Sequence, residues 1–254
     1  MTDPTSLHTA YLLSLGDDAL VYAQRLGEWM THAPQIEEDM ALGNVGLDLL
    51  GQARALLTRA GEVEGRGRDE DAMAMLRDER EFRNVHLVEQ PRGDFGQEMA
   101  RLLWFASYQH ELYTALVSSA DETVAGVAQK AVKEVDYHRD HATQWVLRLG
   151  DGTPTSHARM QAGLEAVHPY VAELGEDFAA ARWAAEHGVG VLPSTLSDGV
   201  NAYVADVLEQ ATLSMPDEPR WRARGGREGV HSEAMGYLLA ELQHVARSHP
   251  GATW

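Results

Sequence analysis

The segment KEVDYHRDHATQW, residues 133–145, combines acidic residues, histidines and an apolar stripe within one predicted helix. At about 100° per residue, the inward face of this helix carries Ala131, Val135, His138, Ala142, Trp145 and Leu149. Glu134 lies one turn before His138, at the margin of that face, as does His141. Side chains one turn apart on a helix can share a proton, a hydrogen bond or a metal ion. The first functional question is therefore whether Glu134 and His138 hold a metal.

The composition is that of a globular protein without a membrane segment. A chain of 254 residues can bury one large helical core, so we predict a single domain over residues 1–254. No apolar run is long enough to cross a bilayer. The start, MTDPTSLHTA, lacks the basic and apolar regions of a signal peptide. We therefore expect a soluble, cytoplasmic protein with no membrane partner.

Charge and the lack of cysteine exclude several classes of function. Lysine plus arginine number 21 against 39 acidic residues, and the formal charge of −18 disfavours nucleic acid and anionic lipid as partners. Without cysteine there is no disulfide, thiolate, zinc–cysteine or iron–sulfur chemistry. Glycine motifs for nucleotides and signatures of serine nucleophiles are also absent from the sequence. Any metal would have to bind His, Asp and Glu side chains.

Apolar periodicity predicts an all-α chain of about seven helices that pack as a bundle. The main helical segments are residues 17–33, 36–60, 95–119, 122–149, 156–186, 194–213 and 232–248, and a short helix covers about 72–82. Asp17, Asp121 and Ser194 are suitable N-caps for three of them. Pro169 is expected to kink or divide the segment in which it lies.

The segment 36–60 is apolar nearly all round, which predicts a buried central helix. Asn44, Asp48 and Gln52 form a polar ridge along it at four-residue spacing. Polar groups on a buried helix need partners from facing helices, water or a metal. Its glycines are expected to allow the close approach of neighbouring helices.

A polar layer inside the bundle is the candidate site. Its predicted members lie on four helices: Glu28, Asp48, His110, Glu134 and His138. A di-iron site in a four-helix bundle needs a carboxylate from each of two helices and Glu-x-x-His on each of the other two. Here Gly51 and Gln52 stand where a histidine should follow Asp48, and His138 follows Glu134 one residue too late. We therefore favour a hydrogen-bonded layer without metal, in which Glu134 pairs with His138.

The loop MPDEPRWRARGGREGV, residues 215–230, is rich in arginine around a tryptophan, unlike the rest of this acidic chain. Both residue types favour interfaces, so one interpretation is a contact for an acidic partner or a phosphorylated ligand. The other is a packed connector that neutralises nearby acids. The candidate contact residues here are Trp221, Arg222, Arg224 and Arg227, and the terminal Trp254 is a further candidate.

Several segments together resemble the C-subunit family of the bacterial phenylacetyl-CoA epoxidase, a multicomponent ring oxygenase. They are LGDDALVYAQRLGEWMTHAP, EEDMALGNVGLDLLGQAR, RDEREFRNVHLVEQPRGDF, KAVKEVDYHRDHA, GGREGVHSEAMGYLLAELQ and the terminal PGATW. The resemblance spans essentially the whole chain. It implies a ferritin-like four-helix core with additional C-terminal helices.

The resemblance also implies a role in aerobic phenylacetate degradation. In that family the A subunit holds a di-iron centre and converts phenylacetyl-CoA to its ring-1,2-epoxide with dioxygen and electrons from a separate reductase. The C subunit is structural, so we expect no cofactor in this chain and expect the A subunit and further subunits as partners. The 221–227 loop and Trp254 are then candidate parts of the interface. Two alternatives stay open, a di-iron oxygenase in its own right and a standalone binding or storage bundle.

Overall fold

The computed structural model describes residues 3–252, and that part of the chain forms helices and connecting loops without strands. Ten α-helices follow one another in the described residues: α1 Pro4–Gly27, α2 Ile36–Glu64, α3 Glu70–Met75, α4 His86–Glu89, α5 Phe95–Leu116, α6 Glu122–Gly150, α7 Pro154–Val171, α8 Ala179–Glu186, α9 Ser197–Gln210 and α10 Glu233–Ser248. Short 3-10 turns cover Glu79–Glu81, Ala172–Gly175, Pro193–Leu196 and Gly226–Glu228. The all-α prediction is confirmed.

Two antiparallel helix pairs, α1 with α2 and α5 with α6, form the four-helix core. The α2 and α6 helices also run antiparallel along each other, and this contact joins the two pairs. The later helices surround this core: α7 packs on α5, α9 on α5 and α6, and α8 on α1. The α10 helix packs against the short α3 and α4. Within the described residues, no helix is both long and apolar enough to span a membrane.

The long helices begin where side chains satisfy their first backbone N–H groups. Asp94 accepts a hydrogen bond from the Gln97 N–H at the start of α5. Asp121 accepts from the N–H groups of Thr123 and Val124 and so caps α6, as predicted. The division predicted at Pro169 is also confirmed, because α7 ends at Val171 and a 3-10 turn follows. Ser194 is no cap; it lies within a turn that precedes α9.

The first helix differs from its prediction in both length and capping. It begins at Pro4 rather than at residue 17, and Gly16 lies within it. A Cβ atom on Gly16 would come within 3.0 Å of Leu57 on α2, so glycine permits the close packing of α1 on α2. Asp17 does not cap a helix, because its side chain is buried inside the fold.

The prediction that α2 is buried on all sides is wrong. One side packs on α1 and α6, but four large apolar side chains on the other side remain exposed. The exposed fractions are 71% for Ile36, 65% for Met40, 66% for Leu47 and 47% for Leu50. The predicted helix 72–82 is also different, since α3 ends at Met75 and only a 3-10 turn follows at Glu79–Glu81.

Two adjacent carboxylates on α1 hold the non-helical segments against the core. Asp17 accepts two hydrogen bonds from the Arg77 guanidinium, one of them 2.9 Å long, and a third from the Arg83 N–H. Asp18 accepts from the Val85 N–H at 2.9 Å and from the Arg227 guanidinium at 2.8 Å. Since both carboxylates are buried, each requires its guanidinium for charge compensation.

Replacing Arg77 with methionine is expected to lower the free energy of unfolding by about 3–5 kcal/mol, because Asp17 would stay buried without its cation. Urea denaturation followed by circular dichroism measures this loss. Arg54→Met is the matched control, since the Arg54–Glu70 ion pair is exposed and is worth about 0–1 kcal/mol. Equal effects of the two substitutions would contradict the role assigned to the buried pair.

Candidate functional site

The candidate site is a layer of polar side chains along the contact between α2 and α6. Gln52 is its centre, because this buried amide joins three helices. Its Oε1 accepts from the Tyr113 hydroxyl at 3.0 Å and from the Gln109 amide at 3.4 Å, both on α5. Its Nε2 donates to Glu134 on α6 at 3.2 Å. The amide thus satisfies polar groups from both neighbouring helices.

Both carboxylate oxygens of Glu134 are occupied by protein donors. Lys130, one turn earlier on α6, places its Nζ 2.9 Å from Oε1, and Gln52 donates to Oε2. The Lys130 side chain is 74% exposed, so this ion pair lies at the outer edge of the layer. This arrangement neutralises Glu134 within its own helix.

His138 binds α2 through a second carboxylate. Its Nε2 lies 3.0 Å from Oδ2 of Asp48, and the imidazole is almost completely buried. Burial lowers the pKa of His138 more than the nearby Asp48 raises it. The imidazole is therefore neutral near pH 7 and donates its Nε2–H to Asp48.

A second carboxylate–imidazole pair, which sequence reasoning did not find, lies nearer the start of α2. Oε2 of the buried Glu38 lies 3.1 Å from Nε2 of His141. No periodicity marks Glu38 as a site residue, because the register of α2 against α6 is a property of the folded bundle. The ring of Tyr137 stacks on His141 at the surface beside this pair.

Only part of the predicted layer assembles. Asp48, Glu134 and His138 lie along the α2–α6 contact, but the expected bond between Glu134 and His138 is replaced by separate bonds to α2. Glu28 follows the last residue of α1 and pairs instead with Arg25 at 2.5 Å. The Nδ1 of His110 lies 3.4 Å from its neighbour Glu111, outside the layer. Glu28 and His110 therefore make no described contact with Asp48, Glu134 or His138, because helical periodicity locates a face and not a depth along the bundle.

The donor set does not fit a di-iron centre. Within residues 3–252, no three His, Asp or Glu side chains converge as ligands of one metal ion would. Glu134 is bound by an ammonium and an amide, and His138 is bound through Nε2 to a carboxylate. We therefore derive no chemical step through a metal in this chain.

The arginine-rich loop divides into exposed and buried residues. Trp221 is 54% exposed and packs edge-on against Tyr170, with ring centroids 5.3 Å apart. Arg222 pairs with Glu218, and Arg224 lies 3.5 Å from Glu176. These pairs match the connector interpretation, in which the arginines neutralise nearby acids, while the Trp221 ring remains open to a partner.

Arg227, predicted as a partner contact, is buried within its own chain. Its guanidinium is buried and binds Asp18, the Ser14 carbonyl and the Arg83 carbonyl, each within 2.9 Å. Local composition could not reveal this, because the acid that it neutralises lies 209 residues earlier in the chain. The predicted contact at Trp254 lies outside the described residues.

Comparison with known proteins places this bundle in a family. The family model described as phenylacetic acid catabolic protein matches residues 2–254, and the chain belongs to this family. The chain is also 44% identical to the C subunit of the 1,2-phenylacetyl-CoA epoxidase of Escherichia coli (strain K12). That match covers 246 residues, which are 97% of this chain and 98% of the relative. The resemblance inferred from the sequence, and the ferritin-like all-α fold that it implied, are confirmed.

Gln52→Leu is expected to lower the free energy of unfolding by about 1–3 kcal/mol, because the buried Tyr113 hydroxyl and Gln109 amide, and one oxygen of Glu134, lose the hydrogen bonds that Gln52 makes. Thermal and urea denaturation measure the change. Gln129→Leu on the exposed side of α6 makes the same chemical change and should alter stability by only about 0.5 kcal/mol or less. An unchanged free energy of unfolding in the Gln52→Leu variant would show that the layer is not a connected network.

The pH dependence of stability should reveal the buried imidazole. The folded pKa of His138 lies below the ordinary 6.5, so the unfolded chain takes up this proton more readily. The stability contributed by neutral His138 is therefore complete above pH 6.5 and is lost as the pH falls towards the folded pKa. NMR titration of the imidazole measures that pKa. Asp48→Asn should lower it further, and an unchanged or higher value would contradict the assigned contact.

Proposed function

We propose that this chain is a non-catalytic subunit of a phenylacetyl-CoA epoxidase that binds and stabilises the subunit with the di-iron centre. Its similarity to the C subunit of such an enzyme supports membership of the complex. The observation that carries the non-catalytic role is the state of Glu134, whose two oxygens are held by Lys130 and Gln52. A carboxylate neutralised in this way serves packing rather than metal binding.

The fold suits a scaffold. Its interior carboxylates are paired with cations or hydrogen-bond donors of the same chain, as at Asp17, Asp18 and Glu89. Such a network gives a bundle with a defined surface, and within residues 3–252 no group of His, Asp and Glu side chains is arranged to hold a metal ion. The contribution of this chain is then the shape and support that it offers to a catalytic subunit, and dioxygen activation belongs to that partner.

Expression of this chain and the catalytic subunit of the same organism, separately and together, tests the proposal. Iron content and epoxidation of phenylacetyl-CoA are measured for each preparation. We expect iron and activity to follow the partner, and Glu134→Gln in this chain to leave the iron content of the complex unchanged. Gln at this position keeps a hydrogen-bonding side chain and removes only the charge.

Two results would overturn the proposal. Near-stoichiometric iron on this chain alone, lost on Glu134→Ala, would make it a di-iron enzyme itself. A stable homo-oligomer that ignores the catalytic subunit would make it a standalone bundle. Sedimentation of the separate and mixed subunits distinguishes that outcome from a mixed complex.

A further inference from the structure

One long face of α2 is apolar and open to solvent. We define the α2 face as the residues that repeat along this side of the helix: Ile36, Met40, Gly43, Asn44, Leu47, Leu50 and Gly51. Its four large side chains are each about half to three-quarters exposed. Isolated exposed apolar residues are ordinary, but a continuous row along one helix marks a surface that another element covers.

The α2 face also lacks charge in a strongly charged protein. The seven residues of the face are themselves uncharged, and charged residues stand only at its margins: Glu37 beside Ile36, Asp48, whose side chain is 36% exposed, and Arg54. Depletion of charge at the centre, with charged residues at the rim, is the composition of a protein–protein interface. A solvated helix face of this acidic chain would instead carry carboxylates.

Two glycines of the face have no packing role inside the chain. A Cβ atom on Gly43 would meet nothing within 4 Å, and one on Gly51 would meet only Lys130 Nζ at 4.0 Å. Gly46 is different, because it faces α1 with Ala23 and Leu26 at 3.7 Å. Glycine destabilises a helix interior, so two outward glycines on either side of Leu47 need an external reason. They leave shallow notches in which a neighbouring helix can approach closely.

The two ends of the rim around the α2 face differ in charge. Arg54 on α2 lies at one end, and the two lysines of the sequence, Lys130 and Lys133, lie on α6. Arg54 pairs with Glu70 and Lys130 with Glu134, but the two cationic side chains remain 76% and 74% exposed. Glu37 lies at the other end, beside Ile36. The exposed ring of Tyr137 on α6 extends the apolar surface sideways between these ends. A partner that matches this rim carries acidic side chains opposite Arg54 and Lys130.

We propose that the α2 face is the docking surface for an apolar helix of the catalytic subunit; this rests on the function proposed above. The stretch from Ile36 to Arg54 is about 27 Å long at 1.5 Å per residue, which suits a partner helix laid alongside α2. A second copy of this chain is a poorer occupant, because it brings another formal charge of −18 to the same interface. Asp48 and Gln52, on the side of α2 that faces α6, bind His138 and Glu134 and so hold α2 in place for docking.

Two substitutions test the α2 face, one by introducing a charge and the other by filling a notch. Leu47→Glu places a charge at its centre and should weaken binding of the catalytic subunit roughly tenfold or more. Gly43→Leu fills a notch that is empty within the chain, so it should raise the thermal stability of the isolated protein while also weakening the complex. The probe is the tagged catalytic subunit of the same organism, co-expressed with each variant and quantified by the amount of chain that it retains.

Leu76→Glu is the matched control, since Leu76 is 57% exposed at the end of α3, outside the α2 face, where its carbonyl accepts a hydrogen bond from Arg247 of α10. Retention of the control together with loss of both face variants supports the proposal. Hydrogen exchange of the wild-type complex provides a measurement without mutation, and slower exchange over residues 36–54 is expected. Circular dichroism of each variant confirms that its helices are folded.

The outcomes separate this inference from the proposed function. If the wild-type chain is retained but both face variants bind as well as it does, the surface is wrong and the partner role stands. Equal losses for Leu47→Glu and Leu76→Glu also overturn the assignment to α2. If the wild-type chain is not retained at all, the partner role itself fails. A chain that dimerises alone and becomes monomeric on Leu47→Glu would assign the face to a second copy.

Discussion

Asp17 and Asp18 impose the constraint on which the arrangement of the later helices depends. Both carboxylates are buried on α1, and each is bound by a guanidinium and a backbone N–H from a segment outside the four-helix core. Moving either segment away would leave a buried charge unpaired, which is far more costly than the loss of a surface ion pair. Electrostatic compensation thus couples the connection before α4 and the loop before α10 to the first helix of the chain.

Several other buried carboxylates are also bound by donors of the same chain. Glu89 accepts from His231 and the Ser232 N–H, and Glu173 accepts from the N–H groups of His86 and Gly226. At the α2–α6 contact Lys130 neutralises Glu134. Carboxylates of a helical bundle can thus be satisfied by protein donors alone, and the common result is a bundle stiffened by polar contacts between segments distant in sequence.

Periodicity predicted the long helices because each of them buries one side, and it located Asp48, Glu134 and His138 on inward-facing stripes. It failed where burial depends on partners far along the chain. Asp17 is of a residue type that often caps helices, and Arg227 lies in a polar loop typical of a protein surface. Each is nevertheless buried with a partner more than 50 residues away. The prediction that α2 is buried on all sides failed for a related reason. Apolar residues on all sides show that a helix is covered, but they do not show that its own chain covers it.

The sparseness of lysine has a practical consequence. The two lysines, at positions 130 and 133, lie close together on α6 and carry the primary amines of the chain apart from the amino terminus. The other 19 of the 21 lysine and arginine residues are arginines. Acylating reagents therefore address one narrow region of the surface, the basic rim beside α2. Arginine retains its charge and resists such reagents at ordinary pH. The rate at which the amines of Lys130 and Lys133 are acylated therefore reports whether a partner covers this part of the surface.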